Sequence, residues 1–146
     1  MILGPYGKCK RKLTALKNHL INKGFSSARL VTDFPSRNVE GKDPDIYFLE
    51  KSHDCIENWA EILVFVFDED KICNNDSVFE EFFFTAGNVS HKCRYSSILS
   101  SSMRFAGRLL RGTYKLHHIP FREFKNVGEL KRRGYSAVYG SFQKLP

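Results

Sequence analysis

The chain has 146 residues and a formal charge of +7, and its 42% hydrophobic and 14% aromatic residues are typical of a packed core and not of a disordered chain. This length fits one domain, at residues 1–146. No apolar run approaches the roughly 20 residues that cross a bilayer, and no secretory signal begins the chain, so we expect a cytoplasmic protein without a membrane partner.

The N-terminal part predicts a strand, a helix and a second strand. Residues 2–3 form the first strand and lead into a turn at 4–7. Residues 28–32 predict the second strand, which a turn-rich stretch at 33–41 closes. Between the strands, one helix face is marked by apolar residues spaced three and four apart, and the helix stops at Gly24: Leu13, Leu16, Leu20 and Ile21.

Asp43 and Pro44 indicate the start of the next helix, because Asp caps a helix and Pro suits its first position. The unbroken apolar run at 62–67 predicts a strand covered on both faces, as in parallel sheets flanked by helices. We expect the helix between them to bury four apolar side chains: Ile46, Leu49, Ile56 and Trp59.

The remaining chain continues the alternation. We expect, in order, a helix from Ser77, a strand at 96–101, a short helix at 103–111, a strand at 116–121 and a last helix after Asn126. His117 and His118 would lie on the fifth strand and point to opposite faces, so they cannot easily share a ligand and we interpret them as structural.

These elements predict an α/β fold, a three-layer α/β/α sandwich around a five-stranded, mostly parallel sheet in the flavodoxin-like order 2-1-3-4-5. The first and third strands are then neighbours, and a crevice opens at their carboxyl ends. The chain has neither the three-glycine dinucleotide fingerprint nor a P-loop. We therefore expect no cofactor and favour neither a classical dehydrogenase nor an NTPase.

Two loops are expected to reach this crevice from the first and second strands. The first holds Gly4, Pro5 and Tyr6, where glycine lets backbone approach a ligand closely. The second holds Asp33 and Ser36. We count these residues among the candidate substrate contacts.

The third segment is the acidic loop and helix start that follow the strand at 62–67. It holds Asp68, Asn75, Ser77 and Glu80, and a helix N-terminus favours negative groups. A carboxylate at such a junction is a candidate catalyst. Ser77 and Glu80 also have the spacing of a capping box, in which the Glu side chain bonds the backbone N–H of the Ser, so this structural interpretation stays open.

Cys9, Cys55, Cys73 and Cys93 have no paired spacing, and we expect four free thiols in a reducing compartment. Cys73, His91 and Cys93 are three candidate zinc ligands, but structural zinc normally takes four ligands in close pairs. We therefore expect no metal.

Four segments resemble the nucleoside 2-deoxyribosyltransferase-like superfamily, which is related in fold to TIR-type NAD-cleaving domains. They are the Gly4-Pro5-Tyr6 turn, the helix at 47–56, the strand at 62–68 and the junction at 75–80. The resemblance covers residues 2–87. It implies binding of a nucleoside or nucleotide, and assembly into homo-oligomers.

The resemblance also implies roles for individual residues. Glu80 falls at the position of the nucleophile that attacks the anomeric carbon, and Tyr6 lies beside it. Such chemistry is physically reasonable, since a carboxylate can stabilise or trap an oxocarbenium-like centre. A second acid must assist the departing base, and the candidates are Asp54, Asp68 and Asp33.

The chain departs from the family pattern at several positions. Ser52 stands where many members carry an Asp that recognises the base, and Asp76-Ser77 replace a Gly-Thr pair. Glu81 follows Glu80, but consecutive helix residues point about 100° apart and need not interact. Residues 82–84 are all Phe, which we interpret as core or as part of a subunit interface.

Charged residues are unevenly distributed along the chain, and this distribution bears on the choice between functions. Residues 1–87 hold 11 Lys and Arg against 14 Asp and Glu, whereas residues 88–146 hold 12 against 2. The basic half would suit a phosphorylated small molecule, as an N-glycosidic hydrolase or transferase would bind. The alternatives are a nucleotide-sensing module without turnover, and a nucleic-acid-binding protein. The latter would use residues 131–133 (Lys-Arg-Arg) and the ridge Arg104, Arg108 and Arg111 against phosphates.

Overall fold

The computed structural model describes residues 1–35, 41–102, 104 and 107–146, which form alternating strands and helices. Ser36 and most of the start of the helix expected at 103–111 lie outside these residues. The strands are β1 (Ile2–Leu3), β2 (Leu63–Phe67), β3 (Ser96–Ser100) and β4 (Phe121–Glu123). The main helices are α1 (Lys10–Asn22), α2 (Pro44–Asp54), α3 (Asp76–Asn88), α4 (Arg108–Leu116) and α5 (Val127–Phe142).

In the described part of the chain, four strands form one parallel sheet in the order β1-β2-β3-β4. Leu3 lies opposite Phe65, and Phe65 lies opposite Ile98. Every residue of β2 and β3 is buried, so the continuous apolar run predicted the central strand and its parallel pairing correctly. Since all strands are parallel, their carboxyl ends meet at one edge.

The predicted second strand at 28–32 is absent from the described sheet and is replaced by one bridge. Leu30 pairs in parallel with Ile2, whose N–H donates to Arg29 O at 2.9 Å. Ile2 also pairs with Val64, so Leu30 lies on the opposite edge of β1. The segment cannot extend further, because Asp33 accepts the Leu30 N–H at 2.8 Å and closes a 3₁₀ turn at Val31–Asp33.

The prediction of a fifth strand at 116–121 is also wrong. Leu116 ends α4, and the last strand begins only at Phe121. His117 and His118 form the turn between them, since His117 N–H still donates to Thr113 O and His118 adopts a left-handed backbone with φ 54°. The helix therefore continues past the expected boundary, and the strand is correspondingly short.

Side chains alternate along β2 between two apolar clusters. Phe65 and Phe67 pack with Val78 and Phe82 of α3. Full burial of such side chains contributes about 1.5–3 kcal/mol each. On the other face, Val64 and Val66 pack with residues of α1 and α5: Leu13, Leu16, Leu20, Leu130 and Val138. Helices therefore cover both faces of the sheet.

The start of α2 confirms one prediction and corrects another. The Asp43 side chain accepts from the N–H groups of Asp45 and Ile46, and Pro44 begins the helix. Of the four side chains expected to be buried, only Ile56 is. Ile46 and Leu49 of α2 are exposed, and so is Trp59, which ends the π-helical turn Cys55–Trp59 after α2.

The cysteines do not form four free thiols as predicted. Cys9 and Cys73 are joined by a disulfide, while Cys55 and Cys93 are free and buried. The link connects the segment after β1 to the loop between β2 and α3. Cys73 therefore cannot act as a zinc ligand, and the described residues hold no cluster of metal-ligating side chains. No helix among them is long and apolar enough to span a membrane.

Candidate active site

A cleft of ≈ 750 Å³ lies at the carboxyl edge of the sheet, where the turn after β1 meets α2 and the first turns of α3. Its apolar lining comes mainly from α2, whose exposed residues were expected in the core. The lining residues are Tyr6, Asp45, Ile46, Phe48, Leu49, Ser52, Asn74, Asp76, Ser77, Glu80 and Glu81. The cleft thus lies beside the turn after β1 and the start of α3, two of the segments expected to meet at a crevice.

The cleft brings together only part of the predicted site. Tyr6, Ser52, Ser77 and Glu80 line it, although they come from three separate segments. Ser36 lies outside the described residues. The other candidates are not among the lining residues: Gly4, Pro5, Asp33, Asp54, Asp68 and Asn75.

Gly4, which was expected to let a ligand approach the backbone, has a packing role. A Cβ atom at this position would lie 2.7 Å from Leu13 Cδ2 and 3.1 Å from Val66 O. The glycine therefore lets α1 pack closely against the sheet. This contact explains its place directly after β1 without any ligand.

Glu80 is available to the cleft, because the capping box that the spacing of Ser77 and Glu80 left open does not form. Asn75 is the residue before α3 and its side chain makes no cap hydrogen bond, whereas the Asn74 side chain accepts from the Asp76 N–H at 2.9 Å. The Glu80 carboxylate instead pairs with His53 of α2, whose Nε2 lies 2.7 Å from Oε1 and 2.9 Å from Oε2. The Glu80 side chain is 40% exposed. The two helices thus hold this carboxylate at the cleft rather than at a helix cap.

Asn75 and Asp68 shape the loop behind the cleft. The Asn75 side chain accepts from Asp68 N–H at 3.0 Å and donates to Asp68 O at 2.7 Å. The Asp68 carboxylate accepts from Lys12 Nζ at 2.5 Å and from Asp70 N–H at 3.1 Å. Asp68 lines a separate depression of ≈ 630 Å³ with Lys12 and Lys125. Both side chains therefore make hydrogen bonds that hold this loop.

Two further predicted acids, Asp33 and Asp54, make hydrogen bonds away from the cleft. Asp33 contacts Lys17 Nζ at 2.9 Å through both oxygens. Burial alone would raise the pKa of Asp33, but the bonds from the Leu30 N–H and from Lys17 outweigh it and lower that pKa. Asp54 accepts from Asn58 at 2.8 Å in an exposed position. The three acids proposed to assist a departing base therefore lie outside the cleft lining.

Tyr6 enters the cleft from the turn after β1. Its ring meets the edge of the Phe48 ring, with centroids 5.4 Å apart, and its hydroxyl donates to Ile2 O at 3.4 Å. Burial, and secondarily the charge of Glu81, raises the pKa of Tyr6 well above its ordinary value. The residue is therefore a neutral phenol at physiological pH, able to donate a hydrogen bond but not to act as a base.

The sequence interpretation missed Glu81, which is 1% exposed. Its Oε1 accepts from Ser52 Oγ at 2.5 Å, whereas its buried Oε2 has no hydrogen-bond partner among the described residues. Burial, followed by the charge of Glu80, raises the pKa of Glu81 to about 8 against the opposing effect of the Ser52 bond. Helical spacing indicates the burial of Glu81, since position 81 lies on the same face of α3 as the buried Val78 and Thr85.

The cleft is acidic. Of its described lining residues, four are Asp or Glu and none is Lys or Arg. The exposed Arg108 and Arg111 of α4 are not part of the lining. Such a surface attracts positive charge and repels phosphate. The expected link between the basic half of the chain and a phosphorylated ligand is therefore not found at this cleft.

The arrangement can hold a partly apolar ligand against two adjacent carboxyl groups of different character. Glu80 is solvent-accessible and paired with a histidine, and Glu81 is buried and bonded to a hydroxyl. Two carboxyls in such different surroundings can take different chemical roles. In comparisons with protein-family models, curated proteins and solved structures, none matches this chain.

Proposed function

We propose that this chain cleaves the N-glycosidic bond of a nucleoside, nucleotide or NAD-like substrate by hydrolysis or transfer, with Glu80 as the nucleophile. One observation carries the proposal. Glu80 and Tyr6, which the resemblance to the nucleoside 2-deoxyribosyltransferase-like superfamily pairs, line the same cleft. The four described strands lie in the order β1-β2-β3-β4, and we propose that they belong to a three-layer sandwich of order 2-1-3-4-5 in which the segment of the Leu30 bridge takes the place of the second strand.

The chemistry follows from the charge of the cleft. Breaking a bond between the anomeric carbon and a base nitrogen develops positive charge on the sugar. The Glu80 carboxylate can trap that carbon covalently, and the neighbouring acids stabilise the charge as it grows. The Tyr6 hydroxyl, whose proton is donated to Ile2 O, can still accept a hydrogen bond from a sugar hydroxyl and so orient the sugar. The same negative lining favours a neutral or cationic nucleoside over a phosphorylated one.

Ser52 distinguishes this cleft from the family pattern. The base-recognising Asp is replaced by a hydroxyl that is bonded to Glu81. The cleft therefore retains a carboxyl group near that position, supplied by α3 instead of α2. This replacement keeps an acid available to the base and favours an active enzyme over a sensor that has lost turnover.

The test is incubation with nucleosides, nucleoside monophosphates and NAD, followed by chromatography for free base. We expect release by the wild-type protein and a loss of about 10³-fold or more in Glu80→Gln, because the nucleophile is removed. Glu57→Gln is the matched control, since Glu57 is exposed and does not line the cleft.

Each other outcome has a definite meaning. Release that survives Glu80→Gln rejects Glu80 as nucleophile. A rise in melting temperature with a nucleotide, without release of base, identifies a sensor, because ligands that bind only the native state stabilise it. Neither release nor stabilisation rejects the nucleoside cleft altogether.

A second candidate function is nucleic-acid binding through α4. Residues 88–122 contain no Asp or Glu, and Arg108, Arg111 and Lys115 of α4 are exposed. Retention on single-stranded nucleic acid that falls steeply with salt, and falls further in Arg108→Gln with Arg111→Gln, would support it. Retention that does not change with salt would exclude it.

A further inference from the structure

A departing base needs a proton donor that the predicted acids do not provide. When the bond to the anomeric carbon breaks, its electron pair moves to the base nitrogen, and most bases leave poorly as anions. A donor must therefore be a protonated acid at the cleft. Asp33, Asp54 and Asp68 are engaged with Lys17, Asn58 and Lys12, respectively, and none lines the cleft.

Glu81 has the required position. It follows Glu80 on α3, and both residues line the cleft. Ser52 fixes Oε1 at 2.5 Å, so the side chain has one defined orientation. Oε2 is buried and lacks a hydrogen-bond partner among the described residues. Such an unpaired buried atom is costly, and a ligand that accepts a hydrogen bond from it would remove the cost.

We propose, on the basis of the function proposed above, that Glu81 is the general acid and that Ser52 positions it. As Glu80 attacks the anomeric carbon, the carbon–nitrogen bond breaks and its electron pair stays on the nitrogen. The nitrogen takes the proton from Glu81 Oε2, and Glu81 becomes a carboxylate. In the second step, water or an incoming base attacks the anomeric carbon, the bond from that carbon to the Glu80 oxygen breaks and frees the Glu80 carboxylate, and the proton that the attacking group loses returns to Glu81.

The surroundings of Glu81 favour this protonation state. Its neighbours include Glu80 on its own helix, Tyr6 from the turn after β1, and Cys55 after α2. None of these groups carries positive charge, and Lys12 and Lys17 are paired with Asp68 and Asp33. Because burial raises the pKa of Glu81 to about 8, the acid holds its proton at neutral pH.

The test uses pairs of substrates that differ in their need for a proton. A neutral purine nucleoside is compared with its N7-methylated cation, whose base already carries the charge that an acid would supply. In Glu81→Gln we expect kcat for the neutral nucleoside to fall by about 10²-fold or more. The kcat for the methylated cation should change by less than about threefold, since that leaving group needs no general acid.

Glu80→Gln is the matched control, because removal of the nucleophile should lower kcat for both substrates by the same factor. If Glu81→Gln lowers kcat equally for both substrates, or for neither, the role of Glu81 is overturned while the proposed function stays intact. A wild-type protein that cleaves cationic substrates alone would also overturn it. No cleavage of any N-glycoside by the wild type would instead reject the proposed function itself.

Ser52→Ala tests the same assignment if Glu81→Gln fails to fold. It removes the bond to Oε1 but keeps the acid. Relative to the wild type, we expect a lower kcat for the neutral nucleoside, a changed pH profile of that kcat, and an unchanged kcat for the methylated cation. An unchanged pH profile, or a loss that is the same for both substrates, would contradict the positioning role.

Discussion

His53 Nε2 lies 2.7 Å from one carboxylate oxygen of Glu80 and 2.9 Å from the other. The imidazole ring also stacks on Phe84, with centroids 3.7 Å apart. Consecutive residues of α2, Ser52 and His53, thus hold consecutive residues of α3, Glu81 and Glu80. This double pairing fixes the two carboxyl groups relative to each other across the interface between the helices.

The first prediction concerns orientation of the nucleophile. In His53→Gln we expect kcat for base release to fall by about 10–100-fold, because Glu80 loses its fixed geometry. The free energy of unfolding should change by less than about 1 kcal/mol, since the pair is partly exposed. The matched control is His91→Gln, at an exposed position away from the cleft. Equal rates in His53→Gln and wild type would contradict an orienting role.

The position of Glu80 could be predicted from general rules of α/β folds. The apolar run of β2 identified a central parallel strand, and ligands bind where such strands end. Glu81 could not be assigned in the same way, because its burial depends on which side of α3 packs on the sheet. Its partner Ser52 also lies 29 residues away, a separation that periodicity does not detect.

Short elements were the least predictable parts of the fold. The segment at 28–32 has the composition of a strand, but one side-chain acceptor, Asp33, ends its pairing after Leu30. α4 extends to Leu116 because backbone bonds continue past the expected boundary. Such outcomes depend on single tertiary or local contacts, whereas long buried strands depend on many apolar side chains together.

The second prediction concerns the disulfide between Cys9 and Cys73, which spans 64 residues. Closing a loop of that length restricts the unfolded chain, and the entropic model gives about 4 kcal/mol of stabilisation. Cys9→Ser, or reduction by a dithiol, should lower the free energy of unfolding by up to about this amount. Ligand affinity should fall as well, because Cys73 precedes Asn74 of the cleft.

Denaturant titrations of the oxidised and reduced protein measure this effect. Thiol titration of the unfolded, unreduced protein should find two free thiols, those of Cys55 and Cys93. Reduction should expose all four cysteines. The double variant Cys9→Ser with Cys73→Ser should match the reduced protein and should not respond to the dithiol. Four free thiols without reductant would disprove the link.

The third prediction is a pH dependence of stability that comes from Glu81. The pKa of this group is about 8 in the folded protein, against an ordinary value of 4.5. Between these pH values the folded state binds one proton more than the unfolded state does. The resulting stabilisation is complete below pH 4.5 and is lost as pH rises through 8, an effect on the order of a few kcal/mol.

Unfolding by denaturant between pH 5 and pH 9 tests this prediction. The wild-type free energy of unfolding should fall across the range relative to that of Glu81→Gln, in which the amide keeps a bond to Ser52 but does not titrate. Glu57→Gln should follow the wild type. Parallel curves for the wild type and Glu81→Gln would mean that Glu81 does not bind its proton more tightly in the folded protein.

The last prediction compares two glycines of α5. A Cβ atom at Gly134 would lie 2.4 Å from Leu16 Cδ1, and Leu16 is fully buried, so it cannot move aside freely. Gly134→Ala should therefore destabilise the protein by about 1–3 kcal/mol despite the better helix propensity of Ala. At Gly140 a Cβ atom meets nothing within 4 Å. Gly140→Ala should thus stabilise the helix by about 0.5–1 kcal/mol. Denaturant titration of both variants measures the difference, and a Gly134→Ala protein as stable as Gly140→Ala would contradict close packing of α1 on α5.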